Sequence, residues 1–283
     1  MMHGFAERLF AGRWIAGPDI SDAIERAKRF NMRNISAILN YLGESLTDEE
    51  SVESAVDMHF KLIDAVKRSR IDASISIKPT GLGLSIGYDV FESNYLRILE
   101  RASRAGLFVW MDMEEPRFIG SEIKAYLGSI GSYKQIGICI QANMKRSLSD
   151  VKRIVARGGV IRLVKGAYSA PACASYASRE QVDNNFIKLM RYMFMHAKEF
   201  TVATHDARLI ELARRMNRKS EKEVTYAMLN GIRNELVVEL AQTERVAVYV
   251  PFGTEWIPYS YRRLREAGHL SIILKSLMEK QGI

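Results

Sequence analysis

The chain has 283 residues, 47% hydrophobic and 26% charged, proportions that exclude collagen-like, low-complexity and disordered classes. Its 41 Lys and Arg against 33 Asp and Glu give a net charge of +8. The excess is spread along the chain, which reads as a solvated basic surface and not as a nucleic-acid-binding tail. The two cysteines, Cys139 and Cys173, suit a reduced, cytoplasmic protein. The apolar runs are too short to span a bilayer, so membrane contact is expected to be peripheral at most, at the inner face.

In chain order, Asn34–Leu39 (NISAIL) predicts a first strand, followed by a helix over Glu49–Arg70 in which Val52, Ala55, Val56, His59, Phe60, Ile63 and Val66 recur every three or four positions. Strand Ala73–Lys78 precedes helix Ser93–Ala105, strand Leu107–Asp112 precedes helix Gly120–Ile130, and strand Ile136–Gln141 precedes helix Ser149–Arg157. The pattern continues with strand Val160–Lys165 and helix Gln181–Lys198, then strand Phe200–Thr204 and helix Ala207–Asn217. Strand Val224–Met228, helix Ile232–Thr243, strand Val246–Val250 and helix Tyr259–Lys280 complete it. Strands joined by helical crossovers run parallel, and eight such units make an α/β fold, either a (β/α)8 barrel of TIM type or a doubly wound open sheet. No linker divides the sequence, so a single domain over 1–283 is expected.

A barrel places its chemistry at the C-terminal ends of the strands. Lys78, Asp112, Gln141, Lys165 and Thr204 with His205 stand there, with Tyr249 inside the eighth strand. The chain lacks GxGxxG after its first strand, GxxxxGK[ST], HExxH, CxxC and GxSxG. Reactivity is therefore expected from a bound organic cofactor, with no protein-borne metal.

Two segments carry the most chemistry. Pro258 opens the last helix, and Tyr259, Arg262, Arg263 and Glu266 share one face of it. Two guanidiniums side by side either clamp a carboxylate or form a solvated pair tethered by Glu266. In VIRLVKGAY, Arg162 lies inside an apolar strand, a costly position unless it is paired. Its partner is either an anion-stabilising ligand atom at the barrel mouth or an acidic residue on a neighbouring strand. Gly166 and Ala167 leave room for a flat ligand to approach the backbone.

These segments, IRLVKGAY, VATHD and VYVPFG with YSYRRLREAG, resemble those of the proline dehydrogenase family, flavin-dependent barrels that oxidise L-proline. ISIKPTGLGL, VWMDMEEPRF, GICIQANMKRS, EQVDNNFIKLM, YAMLNGI and LNYLGESLT correspond in order to the family's other motifs, so the resemblance covers nearly the whole chain. It implies a distorted barrel with FAD across its C-terminal mouth and the last helix over that mouth.

Residue by residue, it implies that Arg162 contacts the flavin near N5, the hydride acceptor, and that Val164, Lys165, Gly166 and Ala167 run along the cofactor. Thr204 and His205 would make a further FAD contact, and Met113 and Gln141 would touch the flavin ring. Asp112 would be an acidic active-site residue. Arg262 and Arg263 would clamp the proline carboxylate, with Lys78 close by and Glu266 in support. Tyr168, Leu163, Leu229, Tyr249 and Tyr259 would wall the pyrrolidine ring. Lys78, Asp112 and bulk water remain candidates for taking the amine proton.

The implied reaction yields 1-pyrroline-5-carboxylate, with electrons passing to a quinone or another acceptor and a separate pyrroline-5-carboxylate dehydrogenase consuming the product. A flavin barrel for another cyclic imino acid such as hydroxyproline, or a non-catalytic basic binding module, are the alternatives. The chain departs from the family pattern at Asn143, Asn230, Ser169, Ala170 and Pro79, which bears on the finer pocket shape and on the Lys78 loop.

Overall fold

The computed structural model describes residues 14–220, 222–257 and 259. Several helix ends are set by local chemistry. The 21-residue α2 (Glu49–Ser69) starts behind Asp48, whose carboxylate accepts from the Ser51 amide at 2.8 Å, and it stops at Arg70 in the left-handed region (φ 52°). Helix α6 (Arg179–His196) opens with a capping box between Ser178 and Gln181. Helix α3 (Tyr88–Ala105) ends on Gly106 at φ 71°, a conformation that costs glycine nothing.

Eight parallel strands alternate with these helices and close into a barrel in the order β1 to β8. They are β1 (Ile35–Tyr41), β2 (Ala73–Ile77), β3 (Val109–Met111), β4 (Ile136–Gln141), β5 (Val160–Val164), β6 (Glu199–Ala203), β7 (Glu223–Leu229) and β8 (Arg245–Phe252). The seam is formed by β1 and β8, which pair from Ile35 with Val246 to Tyr41 with Phe252. Five more helices complete the layer: α1 (Ile20–Asn31), α4 (Ile119–Ser129), α5 (Ser147–Ala156), α7 (Ala207–Ser220) and α8 (Asn234–Ala241). Among the described residues no helix is long and apolar enough to cross a membrane.

The main core lies between barrel and helices. Ile75, Met111, Ile138, Leu163 and Val202 point outward from their strands onto Val56, Ile98, Ile123, Val151 and Met193, all essentially without exposure. Burying one such side chain is worth roughly 1.5–3 kcal/mol. Strand periodicity then turns the alternate residues into the barrel, so Ser76, Trp110, Cys139 and Arg162 are interior for the same reason that their neighbours are in the core.

The barrel expectation holds and the open sheet is excluded, with small differences in the elements. Strand β3 covers only Val109–Met111 because the Leu107 amide is used to close α3, donating to the Ala102 carbonyl at 2.9 Å. Helix α1 was not expected: its buried face, Ala23, Ile24, Ala27 and Phe30, is half alanine and so weakly apolar. A 3-10 turn, Pro79–Leu82, follows Lys78 directly. The predicted helix Tyr259–Lys280 lies outside the described residues, apart from Tyr259.

Candidate active site

At the C-terminal ends of the strands lies a cavity of about 390 Å3. It is lined by Lys78, Asp112, Met113, Gln141, Arg162, Val164, Lys165, Gly166, Ala167, Tyr168, Thr204, His205, Leu229, Tyr249 and Tyr259. Every sequence-predicted site residue within the described chain except Leu163 is thus gathered here. Arg262, Arg263 and Glu266 lie outside the described residues. Leu163 does not line the cavity: between inward Arg162 and Val164, strand alternation turns it into the main core.

Asp112 is the centre of the arrangement. Its Oδ1 takes hydrogen bonds from Arg162 Nη2 at 2.5 Å and Ser76 Oγ at 2.9 Å. Its Oδ2 takes them from Tyr249 Oη at 2.7 Å and Lys78 Nζ at 3.2 Å. Burial alone would push this carboxyl up, but Lys78, Arg162 and the two hydroxyls hold it at about 2. Lys78 is 7% exposed, and burial favours its neutral amine. Tyr168, Tyr249, Asp112 and Glu44 (3.8 Å from Nζ) outweigh that and keep the ammonium well above its ordinary value. Two buried cations therefore share one closely bound carboxylate.

Arg162 answers the question its sequence position raised. Its acidic partner exists, but Asp112 comes from beyond β3, two strands away across the interior, while β4 supplies Cys139, whose Sγ accepts from Nε at 2.9 Å. The guanidinium also lies between two rings, 5.0 Å from the Trp110 centroid and 5.3 Å from that of Tyr249. A Cβ at Gly137 would stand 2.4 Å from the Trp110 ring, so the indole needs glycine there. Arg162 Nη1 nevertheless stays buried without a hydrogen-bond partner, as does Gln141 Oε1, whose amide nitrogen donates to the Glu114 carbonyl at 2.8 Å. One orphaned donor and one orphaned acceptor on the same cavity wall are groups that a ligand would satisfy.

The stretch after β5 presents backbone more than side chains. The Lys165 ammonium is turned aside by Asp183 at 2.6 Å and Asp206 at 3.1 Å. Gly166 sits at φ 109°, and a Cβ on it would stand 2.2 Å from Asn143 Oδ1. Asn143 thus packs over the glycine, whereas Asn230 points elsewhere, donating to the Trp14 carbonyl at 3.0 Å. His205 Nε2 accepts from the Leu229 amide at 3.0 Å, so its ring is oriented by β7. A second cavity, about 770 Å3, adjoins the first through shared Arg179 and His205 and is lined by Arg208, Arg215 and Arg233 as well as Asp183 and Asp206.

Sequence reading missed Ser76, Trp110 and Cys139. Each lies two residues before a predicted site residue, Lys78, Asp112 and Gln141, and so shares its face of the strand. That period was the available signal. Glu44, Thr80 and Glu114 were also missed as partners, since loops that meet across the mouth leave no local pattern.

A family model described as proline dehydrogenase matches residues 23–275. Proline dehydrogenase 1 of Bacillus subtilis subsp. natto is 30% identical over 281 residues, covering 98% of this chain and 93% of the relative. The proline dehydrogenase of Deinococcus radiodurans is 31% identical over 266 residues, covering 90% and 86%. Among solved structures, proline utilization A from Bdellovibrio bacteriovorus, inactivated by N-propargylglycine, superposes with a TM-score of 0.87 at 20% identity. That match covers 96% of this chain and 34% of the other, so the chain spans about a third of that protein, and the likeness is one of fold.

Proposed function

The chain belongs to the proline dehydrogenase family, and from that premise we propose that it oxidises L-proline to 1-pyrroline-5-carboxylate with FAD, passing the electrons to a quinone or another acceptor. It is an oxidoreductase acting on proline. The observation that carries the fuller reading is the cavity wall itself, with buried Arg162 Nη1 and Gln141 Oε1 lacking partners. An isoalloxazine ring offers acceptor atoms to the first and an N–H to the second, so these residues fit the cofactor. Val164, Lys165, Gly166 and Ala167 would bear on it through backbone, and Thr204 and His205 beyond them. The arginines of the adjoining cavity would suit its phosphates.

When bound, the flavin would supply a two-electron acceptor for the hydride on the carbon next to the proline nitrogen. The chain's own residues bind and orient. Lys78, held as a cation, would receive the substrate carboxylate together with Arg262 and Arg263, and the apolar surfaces of Leu229, Tyr168, Tyr249 and Tyr259 would enclose the ring. Arg162 would favour negative charge on the reduced cofactor. Neither Lys78 nor Asp112 suits the role of base: the first stays protonated, and the second is held at about 2 with both oxygens engaged. Proline would then enter with its amine already neutral, its proton left to bulk water. A pyrroline-5-carboxylate dehydrogenase would consume the product.

The test is an absorption spectrum of protein supplemented with FAD. A yellow protein that bleaches on anaerobic addition of L-proline is expected. No bound flavin at any FAD concentration would overturn the cofactor, and bound flavin indifferent to proline would overturn the substrate.

A further inference from the structure

The motif VWMDMEEPRF carries two adjacent glutamates, and only one turns inward. Glu115 pairs with Arg117 at 2.9 Å on the surface, whereas Glu114 is 2% exposed. A buried carboxylate is costly unless hydrogen-bonded, and Thr80 engages both oxygens of Glu114: Oε2 accepts from the Thr80 amide at 2.7 Å and Oε1 from the Thr80 hydroxyl at 2.9 Å, with a longer bond to Oε1 from Tyr168 Oη at 3.4 Å. The same hydroxyl oxygen accepts from the Ser45 amide at 2.8 Å, and the Thr80 carbonyl accepts from the Leu46 amide at 3.2 Å. The two loops press so closely that a Cβ at Gly81 would stand 2.3 Å from the Gly43 carbonyl oxygen. Donors and acceptors run one way, from Ser45 through Thr80 into the carboxylate.

Lys78 stands two residues before this clasp. Pro79 restricts it to extended backbone, and it is found at φ −107°, ψ 118°. Its direction is thus set by the proline and its location by whatever holds Thr80. Glu114 is itself anchored, its amide donating to Glu122 Oε1 at 3.0 Å and its carbonyl accepting from Gln141.

We propose that Glu114 is a positioning residue for the substrate carboxylate: through Thr80 it pins the loops after β1 and β2 to the end of β3, and so fixes where the Lys78 ammonium stands. This rests on the reading of Lys78 as a cation for that carboxylate. Lys78 would meet the carboxylate equally in ground and transition states, so the effect belongs in KM and not in kcat.

The test is a double-mutant cycle on the FAD-loaded enzyme with Glu114→Gln and Lys78→Met. Glu114→Gln should raise KM for proline roughly tenfold, the low end for a hydrogen bond to a charged group, with kcat within about twofold. In the Lys78→Met background it should add nothing. The affinity for pyrrole-2-carboxylate, read from the perturbed flavin spectrum without turnover, should follow the same pattern. If Lys78→Met leaves KM unchanged, the reading of Lys78 fails and the proposal falls with it. If Lys78→Met raises KM but Glu114→Gln does not, or the two effects simply add, the proposal alone is overturned. Should Glu114→Gln fail to fold, Thr80→Val, which keeps the shape and removes the hydroxyl, must show the same split, and its absence would be equally decisive.

Discussion

At the N-terminal ends of the strands the barrel interior holds Ser36, Ser74, Thr201 and Thr225 around a cavity of about 220 Å3, whereas at the C-terminal ends it holds Lys78, Asp112, Gln141 and Arg162. Two of the lower hydroxyls find acceptors in the adjacent strands, Ser36 on the Val246 carbonyl at 3.2 Å and Ser74 on that of Ala37 at 3.4 Å. Charges at that end, Asp72, Glu199, Glu223 and Arg245, stand exposed on the rim. In the upper half each ion depends on the others. Neutral polar groups can be satisfied locally, one at a time, but buried charges must be solved as a set. A set of that kind, kept where a hydrophobic interior would cost less, marks the end at which the molecule works.

That contrast can be broken from either side. The largest effect is expected from Asp112→Asn, which leaves Lys78 and Arg162 buried without their shared counter-charge. Denaturant unfolding should show a loss of about 3–5 kcal/mol together with failure of flavin reduction by proline. Near-native stability would mean the two cations are compensated by something else.

Acid should act on the same end more gently. Because the Asp112 carboxyl is held at about 2 against an ordinary 3.8, its contribution is complete above pH 4 and is lost as pH falls towards 2. Stability should drop by about 2 kcal/mol over that window in the wild type, and this component should be missing in Asp112→Asn. An identical acid profile in both proteins would contradict the assignment. Smallest of all, Ser74→Ala in the lower half should cost no more than about 1 kcal/mol and leave kcat/KM unchanged. A large kinetic effect there would erase the distinction between the two ends.

Much of this was legible in the amino-acid order, for identifiable reasons. Strands β4 and β8 read clearly because both faces are buried, so their apolar runs are nearly continuous. Arg162 stood out because a charge in such a run demands an explanation. Asp112 and Lys78 were visible as polar ends of apolar strands. By contrast, Cys139 and Trp110 look like any strand residue, and nothing local says that one accepts from a guanidinium and the other lies beneath it. Glu122, 0% exposed in α4, reads as an ordinary helix-surface charge. Its burial follows from the chain doubling back to offer it the Glu114 amide. Local rules see what a residue is, whereas the clasp between Ser45, Thr80 and Glu114 exists only once three loops have converged.

The β1–β8 seam has a consequence for how the molecule comes into being. Ser36 bonds to the Val246 carbonyl across 210 positions, and Tyr249 reaches Asp112 across 137. A chain leaving the ribosome from its N-terminus holds most of the buried Asp112 carboxylate's partners early, yet it cannot shut the cylinder, or give Asp112 its tyrosine hydroxyl, until β8 has been synthesised. Nascent fragments should therefore be unable to complete the ion cluster around Asp112, and the exposed edge of β1 must be shielded from other chains for nearly the whole of translation.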